Sequence, residues 1–416
     1  MTTGQGTLAT SATDGAGHPG PIPHHRRSLA PDLARGAMLL FIALANVVGY
    51  LYGREFGYGH RPVDGDTVDR VTDGVGTLFV AERSYPMFAI LLGFGIATMV
   101  RRMAERGVDE RAIRRVLARR GGWLVAFGLV HAALLYDGDI LAPYGVTSLV
   151  ALFLVRRRGA VLLRWFVPSL LTMTAFFVLN GYLATESGEP TVFRDYLRSV
   201  VVRLFESAFV TVLAGVSVSY LFLVITGFLV ARAGWLDRPE QHVRTLRLVV
   251  LAGLVVNLVG GLPHTLAVAR VVEPSRPVGI AFATAHQLSG CVMGLGYVCL
   301  FALLAARLGA AGRAGVVAGV AAVGERSLTC YLLQSMVFAP LLSGWGLGLG
   351  ERIGTTQAYA LALGVWLVTV LVAVLLARAG RRGPFEVLLR RLSYGRRVTP
   401  AGPVPGAALP AVSSNA

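Results

Sequence analysis

Ten apolar runs, most of them close to twenty residues long, succeed one another along this chain, with short arginine-rich or acidic stretches between them. A helix of about 20 apolar residues spans the ~30 Å hydrocarbon core of a bilayer. Lipid offers the backbone no hydrogen bonds, so such runs fold as helices that satisfy themselves. Composition agrees: 54% of the 416 residues are hydrophobic, 15% are charged, and mean hydropathy is +0.62. Those values lie outside the range of ordinary soluble domains. The expected fold class is therefore all-α, a polytopic integral membrane bundle. Spans are expected near 36–52, 84–100, 121–137, 140–155, 162–183, 208–231, 248–268, 280–306, 315–343 and 357–379. Gly324-Glu325-Arg326 is a candidate break in the ninth.

Basic residues orient the bundle. All 39 are arginine, and the chain has no lysine. With the N-terminus inside, 28 arginines fall in inner segments and 10 in outer ones, while Arg326 lies within the ninth span. The positive-inside rule then puts both termini in the cytoplasm, in a multi-pass membrane protein. The outer segments collect acid instead, including Asp64, Asp66, Asp69, Asp73, Asp137, Asp139, Glu186 and Glu189. The net charge of +16 is spread over span ends rather than gathered in one patch, so the expected partner is the lipid bilayer and not nucleic acid.

Residues 1–28 and 399–416, rich in Gly, Ser, Thr and Pro, read as disordered tails around a single membrane domain at 29–398, with a C-terminal block at 210–398. Arg26-Arg27 followed by Met38 to Ala45 resembles a signal peptide. The apolar run nevertheless continues to Leu51, and cleavage would leave nine spans. Cys291, Cys299 and Cys330 all lie in apolar runs, read as small buried hydrophobes, and no metal site is expected. Without lysine there is no Walker loop, and neither an HExxH nor a GxSxG motif occurs.

The polar residues inside the apolar runs carry the functional reading. His131 precedes Asp137 by six residues and Asp139 by eight, which sets it roughly 9–12 Å below the outer end of its helix. A neutral imidazole there serves as general base, nucleophile or hydrogen-bond donor to a neighbouring helix. The two aspartates either orient it and attract a substrate, or form a solvated turn. Asp32 and Arg35 open the first span as helix cap and inner anchor, or as ligand groups. Asn46 needs a partner at its depth. Arg83 is expected at the outer start of the second span, able to bind an anionic group. His264, His286 and Gln287 add polarity to the seventh and eighth spans. Tyr331, Gln334 and Ser335 share one helix face of the ninth, suited to lining a cavity. Inner arginine clusters, Arg101-Arg102 and Arg111 to Arg120, suit coenzyme A or lipid head groups.

Four blocks resemble the YeiB-like family of bacterial membrane proteins, domain-of-unknown-function family 418: DLARGAMLLFIALAN from Asp32, RSYPMFAILLGFG from Arg83, LVHAALLYDGDILAPYG around His131, and GERSLTCYLLQSMVF with RRGPFEVLLRRLSYG near the C-terminus. The chain departs from the family pattern at Pro31, Arg83, Pro86, Ala89 and Val387. That family is similar in pattern to transmembrane acyltransferases. The resemblance implies transfer of an acyl group from cytoplasmic acyl-CoA to a hydroxyl or amine of a small-molecule or glycan acceptor at the outer face. It implies His131, with Asp137 and Asp139, as catalytic residues. Asp32, Arg35, Asn46, Arg83, Tyr144, Tyr331 and Gln334 would line the substrate or cofactor cavity. A transporter using the same cavity is the alternative, and a non-catalytic scaffold the third reading.

Overall fold

The computed structural model describes residues 28–185 and 192–394, so both expected tails, together with Glu186 and Glu189, lie outside the described residues. It is an all-α polytopic membrane bundle. Among the described residues fourteen α-helices run in chain order: α1 Ala30–Val48, α2 Thr67–Phe79, α3 Ser84–Glu105, α4 Glu110–Leu134, α5 Leu141–Ala151, α6 Gly159–Ala184, α7 Tyr196–Ser217, α8 Leu221–Ala233, α9 Val243–Val268, α10 Arg276–Leu308, α11 Gly315–Glu325, α12 Ser327–Leu342, α13 Thr355–Arg378 and α14 Pro384–Tyr394. The only sheet among the described residues is a two-stranded outer hairpin, β1 Phe56–Gly57 with β2 Arg61–Pro62. Seven helical stretches are long and apolar enough to cross a membrane, and an eighth follows if α11 and α12 count together. The arginine-rich side is called inner below.

Several crossings differ from straight helices. The second is not the single helix 84–100: α2 and α3 together make one crossing, interrupted at residues 80–83. The expected span 208–231 is broken between α7 and α8, where Val218 adopts a left-handed φ of 49°. In the ninth, α11 and α12 meet at 88°, so α12 alone rises across the bundle. With 11 residues, α5 is about 16 Å long, roughly half of the ~30 Å core. The α4–α5 connection, residues 135–140, lies beside the outer ends of α1 and α7, where Tyr50 and Tyr196 donate to the Leu135 and Leu134 carbonyls.

Backbone groups freed by these interruptions cannot turn to lipid and must be satisfied inside the protein. Polar side chains of neighbouring helices do this. Ser169 of α6 donates to the Val218 and Ser219 carbonyls (2.8 and 3.1 Å) and accepts from the Phe222 amide (2.7 Å), while Thr172 donates to the Ser217 carbonyl (2.8 Å). The end of α2 is held by Asn257 donating to the Leu78 carbonyl (3.0 Å) and Tyr297 to that of Phe79 (2.8 Å). Arg203 donates to the Ala133 carbonyl (3.1 Å) and Tyr50 to the Leu135 carbonyl (3.2 Å), closing α4. Glu386 of α14 accepts from the Leu328 and Thr329 amides (2.7 and 3.0 Å), the first turn of α12.

Glycines bring the helices close enough for these contacts, as expected where small residues pack membrane helices. Gly290 and Gly294 of α10 receive the interrupted second crossing: an added Cβ would meet the Glu82 carbonyl at the first and Pro86 at the second. Gly93 of α3 and Gly227 of α8 pack reciprocally, a Cβ at one overlapping the Val224 carbonyl and at the other that of Ile90. Gly227→Val is expected to destabilise the protein by about 1–3 kcal/mol through overpacking, read as a lower melting temperature of the detergent-purified protein. Gly364→Val, where no atom lies within 4 Å, should leave it unchanged. Equal melting of the two variants would contradict this packing.

Candidate functional site

His131, Asp139 and Tyr331 come together from α4, the α4–α5 connection and α12. The imidazole Nδ1 and Asp139 Oδ1 are 2.8 Å apart, with side chains 1% and 0% exposed. Its partner being a carboxylate, Nδ1 carries the proton. Asp139 is fixed twice more: Tyr331 Oη donates to Oδ1 (3.3 Å), and the Ala142 amide donates to Oδ2 (2.9 Å), so the same carboxylate caps the first turn of α5. Gly128 allows the approach, because a Cβ there would collide with the Ala142 amide and Asp139 Oδ2. The other imidazole nitrogen, Nε2, is buried and has no hydrogen-bond partner. An imidazole held in one tautomer by a carboxylate, with its second nitrogen free, is arranged as a general base or nucleophile.

Asp137 is not brought to the imidazole. It is exposed, and its Oδ1 accepts from the Gly138 amide (2.9 Å). Tyr144, one turn into α5, is buried, donates to the Tyr85 carbonyl (2.8 Å) and stacks on Phe88 at 5.1 Å. Tyr220, at the start of α8, packs edge-on against both Tyr144 and Tyr85, at 5.2 and 6.2 Å. The breaks in two crossings, α2/α3 and α7/α8, thus meet at Tyr144 of α5, the helix that Asp139 caps.

Arg83 occupies a second cluster. Rather than standing at an outer mouth, it is fully buried near the middle of α9 and α10. Its Nε and Nη2 donate to Asn257 Oδ1 (2.9 and 2.7 Å), and Nη1 reaches His286 (2.8 Å) and the Ala81 carbonyl. His286 stacks on His264 at 4.5 Å, and His264 Nδ1 meets Tyr58 Oη at 2.8 Å. A buried guanidinium is tolerable only when its donors are taken up this fully.

The remaining expected residues lie elsewhere. Asp32 is buried and paired with Arg35 at 3.4 Å, and Arg35 also reaches the Leu91 carbonyl (3.4 Å). Asn46 is half-buried at the outer end of α1. Gln334 donates to the Leu39 carbonyl (3.3 Å), while its Oε1 is buried without a partner. Sequence reasoning passed over Asn257, Tyr85, Tyr220 and Glu386. Asn257 was detectable as the one amide in an apolar run of α9; the two tyrosines gave no signal beyond their type.

Exchange of Asp139 for Asn should release the imidazole tautomer. In 15N-histidine NMR of the purified protein, with the His131 signal identified by its loss in His131→Gln, the wild type should show protonated Nδ1 and Asp139→Asn a shift toward protonated Nε2. Identical tautomer populations in both would mean that Asp139 does not set the imidazole.

Residues 230–396 match the sequence model of the family described as "Protein of unknown function (DUF418)". The chain is 27% identical over 399 residues to the uncharacterized protein YeiB of Escherichia coli (strain K12), covering 88% of this chain and 96% of YeiB. It is 23% identical over 398 residues to the uncharacterized protein YxaH of Bacillus subtilis (strain 168), covering 87% of this chain and 93% of YxaH. The similarity to both relatives extends over most of the chain, and its C-terminal block matches the DUF418 family model, so the chain resembles the YeiB-like proteins.

Proposed function

We propose that this protein is an acyltransferase of the bacterial cytoplasmic membrane, moving an acyl group from a thioester such as acyl-CoA to a hydroxyl or amine. The observation that carries the reading is the free, buried Nε2 of His131, whose Nδ1 is fixed by Asp139. In the transfer, Nε2 takes the acceptor's proton as the acceptor's oxygen or nitrogen bonds to the acyl carbon. The C–S bond breaks, and the imidazolium returns the proton to the departing thiolate. Asp139 stabilises the imidazolium in between. Tyr331, at 5.0 Å from the imidazole between ring centroids, limits the rotation of the base and holds Asp139.

Supply of the thioester from the inner side is supported by the basic residues below the pair. Arg120 stands on α4, 11 residues or about 16 Å beneath His131. It is enclosed by the bundle yet retains accessible surface, with Glu386 and Tyr394 of α14 in electrostatic reach. Arg35 offers a second guanidinium, 23% accessible, in the inner part of α1. Guanidinium groups suit phosphate oxygens by geometry as well as charge.

The test is transfer of labelled acetyl from acetyl-CoA by the full-length protein in bilayers, with His131→Gln alongside. Labelled product or slow thioester hydrolysis is expected from the wild type. It should fall about 100-fold or more in the variant, the range of a lost general base, while both proteins melt alike. Equal rates in the two would contradict the role of His131. Absence of coenzyme A binding and of turnover across a range of acyl donors would contradict acyl transfer and favour transport through the same cavity.

A further inference from the structure

A cavity of about 250 Å³ lies on the inner side of the bundle, between the start of α4 and the chain leaving α5. Arg114 of α4 and Arg156 and Arg157, just beyond α5, line it with exposed side chains, over a buried apolar floor of Ile113, Leu117 and Leu152. Phe153 lines it as well and is 58% exposed. On a membrane helix bundle, an exposed phenylalanine next to three arginines marks the boundary between acyl chains and head groups.

One carboxylate shares this cavity. Glu110 Oε1 accepts from Arg114 Nε and Nη2 (3.2 and 2.9 Å), and Glu110 Oε2 stands 3.8 Å from Arg156 Nη1. Glu110 thus compensates one positive charge and fixes the Arg114 guanidinium by one edge, leaving Nη1 for another partner. The neighbouring Asp109 is turned to its own helix, accepting from the Arg111 and Ala112 amides. The Arg157 guanidinium makes no hydrogen bond or ion pair among the described residues. Arg232 of α8 donates to the Val155 and Arg157 carbonyls (2.9 and 2.7 Å), which holds the segment carrying Arg156 and Arg157 and brings a fourth guanidinium beside it. Four arginines against one glutamate leave an excess of positive charge on a braced frame.

Such an excess draws an anion, and the planar guanidinium matches phosphate oxygens by geometry. A soluble cofactor and a membrane lipid both carry phosphate. Pockets that bury a drug-sized ligand run from about 300 to 1,000 Å³, so this cavity is too small to enclose coenzyme A. Arg114 also stands six residues before Arg120 on α4, roughly 120° around the helix, so the cavity is separate from the guanidinium assigned to the thioester. The apolar floor and Phe153 suit the glycerol and first methylenes of a lipid whose phosphate meets the arginines. Basic pockets between helices on the cytoplasmic side hold acidic lipids in this way.

We propose that this cavity binds an acidic phospholipid of the inner leaflet, its phosphate held by Arg156, Arg157 and the open edge of Arg114 and its chain laid along Phe153. The site is independent of the acyl-transfer reading, because binding is read without thioester or turnover. A head group there ties the inner end of α5 to α4, at the opposite end from the cap that Asp139 places on the helix.

The experiment titrates dioleoylphosphatidylglycerol against the full-length detergent-purified protein and follows its melting temperature. Dioleoylphosphatidylcholine, with the same chains and no net charge, runs alongside. The acidic lipid should raise the melting temperature and the zwitterionic one should not. Exchange of Arg156→Gln together with Arg157→Gln should weaken the acidic lipid about tenfold or more. Arg244→Gln with Arg247→Gln, which removes the same charge from the exposed inner start of α9, should leave its affinity unchanged. If the first pair fails to fold, Glu110→Gln, which keeps every arginine and frees Arg114, should tighten binding severalfold. Equal stabilisation by the two lipids would overturn the proposal, as would equal weakening by the two arginine pairs or, in the fallback, wild-type affinity in Glu110→Gln. Stabilisation by coenzyme A or inorganic phosphate that is lost in the first pair, with no response to the acidic lipid, would overturn it in favour of a soluble phosphate ligand. Loss of acetyl transfer with lipid binding intact would refute the enzyme reading alone.

Discussion

A backbone group that loses its helical partner inside a bilayer has no water to turn to, and leaving it bare costs several kcal/mol. This bundle interrupts its helices in the interior more than once and satisfies each interruption with a polar side chain from another helix. Ser169 and Thr172 of α6 serve the α7–α8 break. Asn257 and Tyr297, from α9 and α10, hold the end of α2. Arg203 and Tyr50 close α4, Asp139 opens α5 and Glu386 opens α12. These bonds tie together segments far apart in sequence, so the breaks are specified by the fold as a whole.

Function and architecture share groups as a result. Asp139 fixes the His131 tautomer and also caps α5, so its substitution touches both the chemistry and the helix. Arg83, with its guanidinium spent on Asn257, His286 and the Ala81 carbonyl, ties the break between α2 and α3 to α9 and α10. The breaks between α2 and α3 and between α7 and α8 bring Tyr85 and Tyr220 against Tyr144 of α5 while their freed carbonyls are taken up by other helices. Non-helical backbone at membrane depth is tolerated only where it is buried or lines a water-filled space, and here polar side chains of neighbouring helices bury and satisfy it.

The class of fold was fully legible from run length and composition, because apolar length is what a bilayer reads. His131, Asp139 and Tyr331 were singled out by the cost of polarity in an apolar run, and the structure joins them. The breaks were less visible. Residues 80–83 and 218–220 contain neither glycine nor proline, the usual marks of interruption, so periodicity and length alone placed Arg83 at an outer mouth and merged α7 with α8. The ninth span was the exception, where Gly324 signalled its bend. Asp137 and Asp139 look equivalent in sequence. Only the three-dimensional turn decides that one meets the imidazole and the other meets solvent.

The most direct test that outer solvent reaches the chain next to Asp139 is cysteine accessibility at Gly138, exposed in the α4–α5 connection. The three native cysteines are buried and should stay silent. In intact cells, Gly138→Cys should react with a membrane-impermeant cationic thiosulfonate added from outside, and Gly364→Cys, on the open face of α13, should not. Labelling of neither position by the impermeant reagent, with Gly138→Cys reached only by a lipid-soluble maleimide, would contradict the account.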